Sequence, residues 1–132
     1  CAYVGSQTHI YNDTLRNNLT LWNEAVTDTH IKEVLERVNL LSFLSRIDEQ
    51  VSDGSFSEGQ KQRIGLIRAF LKGSSVVIFD EATANLDHNN ATRIEHLLLS
   101  DPNITYITVT HHLIKENESY FDKIIRLGEG TE

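Results

Sequence analysis

A chain of 132 residues with 39% apolar content makes one domain, able to bury roughly two-thirds of its extended surface. A formal net charge of −7 argues against nonspecific nucleic-acid binding, which draws its affinity from basic surface; only a local cluster, Lys61-Arg63-Arg68, stands against that balance. The single cysteine, Cys1, excludes an internal disulfide, and no apolar run approaches the roughly 20 residues that span a bilayer as a helix. The sequence has no methionine, so it is expected to be either processed or, the favoured reading, a piece of a longer protein. Its Asn-x-Ser/Thr sequons at Asn12, Asn18, Asn90, Asn103 and Asn117 read as chance in an Asn- and Thr-rich chain.

In chain order, "AYVG" (2–5) predicts a short strand. "NDTLRNNLTLW" predicts a short helix capped by Asp13 or Thr14. "TDTHIKEVLERVNLLSFLSRI" has helical spacing, with Ile31, Val34, Leu35 and Val38 on one face. "DEQVSDGS" is a polar loop. From Gln60 to Lys72, Ile64, Ile67, Phe70 and Leu71 again recur at helical spacing, and Gly73 closes the run. "VVIF" is apolar at every position, as in a strand covered on both faces, and it ends in Asp80-Glu81. "LDHNNATRIEHLLLS" predicts a helix closed by Asp101-Pro102, "ITYITVT" a strand, "HHLIKENES" a short helix or loop, and "KIIRL" a last strand. Strands and helices alternate, which makes the fold α/β with a mainly parallel sheet.

Three places carry chemistry. At "SFSEGQKQR", Ser57 and Gln60 have the spacing of a capping box, in which each side chain bonds the other's backbone N–H. The same helix start, with Gly59 admitting close approach, suits an anion; one geometry serves both readings. At the tip of "VVIFDE", Asp80 and Glu81 suit a hydrated Mg²⁺ and a base for a water, or else a solvated acidic turn. At the tip of "ITVTHH", His111 and His112 are either functional or two exposed imidazoles; adjacent histidines do not converge on zinc. Ligands of parallel sheets bind beyond the carboxyl ends of the strands, where both tips lie.

Taken together and in order, these segments resemble the nucleotide-binding domain of ABC transporters, the exporter type in particular. "FSEGQKQRIGLIRAF" resembles the signature motif and its helix, and "VVIFDEATANLD" resembles Walker B running into the D-loop. "VTHHL" resembles the switch-histidine segment, and "YVGSQTHIYNDTLRNNL" resembles the Q-loop region. The resemblance implies a P-loop NTPase-like partial parallel sheet with helices on both faces. An α-helical subdomain would be inserted at about 10–72, with 1–9 and 73–132 forming the remaining catalytic core. It implies ATP and Mg²⁺ as ligands. Asp80 would hold Mg²⁺ through water, Glu81 would be the general base, and His111 would contact the γ-phosphate. Gln7 would sense Mg²⁺ and the water. Ser57, Gly59 and Gln60 would meet a phosphate held by a second ABC ATPase domain in a head-to-tail dimer, with Asp87 at that interface. Glu58, where the family often has glycine, would point away. Residues from about His9 to Arg16 would face a transmembrane domain, at the cytoplasmic face of the cell membrane.

One family part is absent: no Gly-x-x-x-x-Gly-Lys-Ser/Thr occurs. The chain is expected to start just after that P-loop and to be inactive alone. The missing strand would leave a gap between "ITYITVT" and "KIIRL". A soluble ABC-class ATPase of DNA repair or translation, and a non-catalytic module with a degenerate site, are the alternatives. The acidic balance and the short interval from Gln7 to Ser57 favour the exporter.

Overall fold

Helix starts in this chain are set by side-chain oxygens that satisfy otherwise orphaned backbone N–H groups. The computed structural model describes residues 1–5, 7–81 and 86–128. After strand β1 (Ala2–Val4) and a two-residue strand β2 (Asp13–Thr14), Thr14 accepts from the Asn17 N–H and opens α1 (Leu15–Thr20). Thr27 likewise opens α2 (Asp28–Arg37), whose predicted face is buried at Ile31, Val34, Leu35 and Val38. The long helical run predicted beyond Val38 breaks at Asn39, which adopts φ +61°, and resumes as a 3₁₀ turn at Leu41–Arg46. Asparagine tolerates that left-handed conformation better than most residues, so the chain turns there. The polar loop after it contributes an unpredicted strand β3 (Gln50–Val51), antiparallel to β2.

Ser57 then opens α3 (Glu58–Lys72), and Gly73 ends it at φ +74°. β4 (Val76–Asp80), α4 (His88–Ser100), β5 (Thr105–Val109) and a 3₁₀ turn at Lys115–Tyr120 follow. β1, β4 and β5 form a parallel sheet in the order β1-β4-β5, with Val4 beside Phe79 and Asp80 beside Val109. α3 reaches β1 through Gly65: a Cβ there would lie 2.9 Å from Thr8 Oγ1 and 3.4 Å from Val4 Cγ1. The buried face of α4 carries Ala91, Ile94 and Leu98.

Two expectations are corrected. Cover on both faces, expected from "VVIF", occurs on one side: Val77 and Phe79 are buried under α3 and α4, whereas Val76 and Ile78 are half-buried. Their neighbours on that second face, Tyr3, Ile107 and Val109, are exposed, and no described helix lies there. "KIIRL" forms no strand, and Ile125 and Leu127 are exposed. Five residues gain a strand conformation only by sharing ladder hydrogen bonds, and this segment pairs with no strand. It is separated from the free edge of β5 by a cavity of about 620 Å³, lined by Thr105–Thr108 on one side and by Lys123 and Ile125 on the other, at the gap expected from the sequence. The α/β class with its parallel sheet is as predicted.

Two of the sequons lie in the interior, which bars a glycan from them. Asn18 is fully buried, accepts from the Tyr11 N–H at 2.8 Å and donates to the carbonyls of Tyr11 and Thr14 at 3.0 Å. Asn117 is equally inaccessible.

Candidate functional site

The carboxyl ends of β4 and β5 build the acidic tip. Asp80 is the last residue of β4 and accepts a hydrogen bond from the Tyr3 hydroxyl on β1, which pushes the Tyr3 phenol up. At Glu81 the chain turns left-handed, φ +55°, an unusual conformation for a residue with a Cβ. The turn is held by the Glu81 N–H, which donates to the Val109 carbonyl at 2.9 Å. It directs the Glu81 carboxylate against Nδ1 of His111, which follows β5. With Nδ1 engaged, Nε2 of His111 faces solvent; the ring is 84% exposed. A cavity of about 380 Å³ opens beside the pair, lined by Leu86, His88 and Ala91 on one side and by Thr110, His112 and Ile114 on the other. Gln7 is exposed past the end of β1, at the same end of the sheet.

The second group stands apart. At the start of α3 the capping box is complete: Ser57 Oγ accepts from the Gln60 N–H at 3.1 Å, and Gln60 Oε1 accepts from the Ser57 N–H at 2.9 Å. That leaves the Ser57 O–H and the Gln60 amide N–H₂ free to donate, beside a helix N-terminus exposed at Ser57. Glu58 lies 3.5 Å from Lys61 Nζ, along the helix, and Lys61 in turn donates to Asp53 at 2.9 Å. Ser57 sits about 12 Å along the axis from Gly65, the point where α3 meets β1, at 1.5 Å rise per residue. No hydrogen bond joins residues 57–60 to Asp80, Glu81 or His111 among the described residues.

Asp87 caps α4, accepting from the Asn90 N–H at 2.9 Å and from its side-chain amide at 2.8 Å. These bonds, backbone first, hold its carboxyl below the usual carboxylate range, with help from the charge of Arg63. Residues 82–85, within the segment that resembles Walker B running into the D-loop, lie outside the described ones. The basic cluster does not form a patch. Lys61 is tied to two acids, and Arg68 is turned inward, with Nε donating to the Asn18 carbonyl at 2.7 Å and burial pulling its guanidinium down.

Two residues escape a reading of motifs. Tyr3 is found only through the sheet: it stands beside Ile78, on the face that carries Asp80. Trp22, at φ +63°, extends an exposed aromatic row, with His9–Tyr11 centroids 4.5 Å apart and Tyr11–Trp22 centroids 5.1 Å apart. Alternation along β1 was a usable signal for the first; a left-handed turn after a six-residue helix left none for the second.

Comparison with known proteins fits this geometry. The sequence profile of the ABC transporter family matches residues 2–84. The chain belongs to the ABC transporter family. A probable ABC transporter ATP-binding/permease protein of Haemophilus influenzae is 30% identical over 136 residues, which cover 98% of this chain and 24% of that protein. The ATP-dependent lipid A-core flippase of Francisella novicida is 31% identical, covering 98% of this chain and 23% of the flippase. The glutathione/L-cysteine transport system ATP-binding/permease protein CydC of H. influenzae is 32% identical, with the same coverage. The solved structure of a bacterial Atm1-family ABC exporter with ATP bound superposes with a TM-score of 0.75 at 22% identity, over 84% of this chain and 21% of the exporter. This chain therefore spans about a quarter of the ABC relatives it matches. None of its described helices is long and apolar enough to cross a membrane.

Proposed function

We propose that the chain is part of the ATP-hydrolysing subunit of an ABC exporter, coupling ATP binding and hydrolysis to transport across a membrane. The observation that carries this is the pairing of Glu81 with His111 at the ends of neighbouring parallel strands. Glu81, turned out of the strand, takes the proton of the attacking water. His111 orients that carboxylate through Nδ1 and presents Nε2 to the terminal phosphate. Gln7, beyond β1, reaches the same space. Asp80 is half-buried with one oxygen bonded by Tyr3, and its remaining lone pairs form a hard donor. That donor fits a hydrated Mg²⁺ ion, which Asp80 would hold through water. Such an ion would neutralise phosphate charge.

The start of α3 does not meet this tip within one chain, so Ser57, Gly59 and Gln60 serve a phosphate held by a second ABC ATPase domain packed head to tail, with Asp87 at the interface. Glu58, drawn toward Lys61, stays off that phosphate. Residues 10–72 act as a helical subdomain on a core made of 1–9 and 73–132. The exposed row His9, Tyr11 and Trp22 extends the 9–16 surface, which faces a transmembrane domain at the cytoplasmic side of the membrane. Without a P-loop, the 132 residues alone hold Mg-ATP weakly.

The test is Glu81→Gln in the full-length parent. Turnover falls by roughly 10²–10⁴-fold, the usual loss for a general base, while ATP binding is retained. An ATPase rate within a few-fold of the parent's contradicts the assignment.

A further inference from the structure

Behind the site, three polar side chains meet in the interior. Glu95, on α4, is 4% exposed, and Asn117, in the 3₁₀ turn after His111, is 2% exposed. The Tyr106 hydroxyl, from β5, donates to Glu95 Oε2 at 2.9 Å. The Asn117 amide donates to Glu95 Oε1 at 3.3 Å and to the Thr92 carbonyl of α4 at 3.0 Å. Each carboxylate oxygen thus receives one donor, and no described cation pairs with Glu95. Burial pushes both the Glu95 carboxyl and the Tyr106 phenol up.

A buried carboxylate is a poor way to hold elements together, because apolar side chains of the same volume do it at less desolvation cost. What a fully bonded polar cluster adds is direction: its bonds fix the relative placement of the groups that make them. The placement at stake is that of His111. Tyr106 precedes it in β5, and Asn117 follows it in the turn. Both ends of the segment that carries the histidine are therefore fastened to one carboxylate. Its host helix α4 is also the element into which the chain from Glu81 leads. A second, exposed tie runs in parallel, with His88 Nε2 2.6 Å from the Glu116 carboxylate.

We propose that Glu95, Tyr106 and Asn117 are positioning residues that set His111 against Glu81, and so act on the hydrolytic step through the histidine. The proposal rests on the reading in which His111 meets the terminal phosphate.

The experiment uses the full-length parent and four variants: Tyr106→Phe, Glu95→Leu, Glu95→Gln and His111→Ala. Tyr106→Phe removes one oxygen and keeps the ring that packs on Phe79. It is expected to lower kcat roughly 10-fold, less than the ~10²-fold that a 1 Å misplacement produces. KM and the Kd for ATP stay near parental values, whereas the thermal midpoint falls modestly because a buried Glu95 oxygen loses its donor, so rates are compared well below the midpoint of either protein. Glu95→Leu keeps the volume, loses both bonds and falls alike. Glu95→Gln accepts from Asn117, donates to a turned Tyr106 hydroxyl and retains most of the turnover. Added to His111→Ala, Tyr106→Phe causes no further loss, because the cluster acts only through the imidazole. The inference is overturned if Tyr106→Phe or Glu95→Leu turns over at the parental rate, or if the losses from Tyr106→Phe and His111→Ala multiply. A parental rate in His111→Ala alone contradicts the reading of the site itself, and the inference falls with it.

Discussion

The start of α3 and the tip of β4 are both polar, and both are half open to water, yet they are held in different ways. Ser57 and Gln60 satisfy each other within one helical turn, so that geometry survives wherever α3 exists. Glu81 depends on β5: its N–H reaches the Val109 carbonyl and its side chain reaches His111. A turn built from neighbours in sequence can be presented to another molecule as a finished unit. A tip built across strands moves when the sheet moves, and that suits a group whose alignment must respond to what is bound.

This contrast can be broken at the sheet. Phe79→Ala empties a buried site between Val4 and Tyr106 and should destabilise the parent ATPase domain by about 3–5 kcal/mol, the range for a buried Phe. Thermal melting and ATPase rate should fall together, while the α3 capping box is untouched. A variant that melts normally contradicts the dependence of the tip on the sheet core. Gly65→Val tests the seam between the regions. The new side chain meets Thr8 and Val4, and overpacking of this kind costs about 1–3 kcal/mol. Its effect should read out as a lower thermal midpoint, with ATPase loss only as the domain unfolds.

The smallest effect sharpens the picture at α4. Asp87 has a folded pKa below its unfolded one, so its stabilising contribution is present above the ordinary carboxylate pKa and is lost as pH falls through the folded value. Asp87→Asn should therefore lower the melting temperature slightly at pH 7, and by less at a pH low enough to begin protonating the folded aspartate. Equal losses at both pH values would show that its charge is irrelevant to the cap.

How far these regions could be read in advance follows from the same physics. Thr14, Ser57 and Gly73 act on their own neighbours, and the buried face of α2 repeats with the helical period, so local pattern was enough. Asp80, Glu81 and His111 could be placed at strand ends because parallel strands deliver their ligand-binding groups there. That Glu81 turns left-handed and meets His111, or that Tyr3 bonds Asp80, depends on register across three strands, which no window of sequence contains. Asn39 ended α2 early by a backbone choice that apolar periodicity does not report. "KIIRL" has strand composition, but composition cannot supply the neighbouring edge that a strand needs.

The central claim is that the start of α3 serves a phosphate held by a second ABC ATPase domain, and it is tested most directly by Ser57→Asp. Aspartate caps a helix as well as serine does, and its charge suits the helix N-terminus. Against a polyanion, the same carboxylate repels and no longer donates. In the complete ATPase domain carrying Glu81→Gln, the account predicts unchanged helix content and melting temperature, together with loss of ATP-dependent dimerisation. Normal dimerisation of the Ser57→Asp variant would contradict it and leave Ser57 as a helix cap alone.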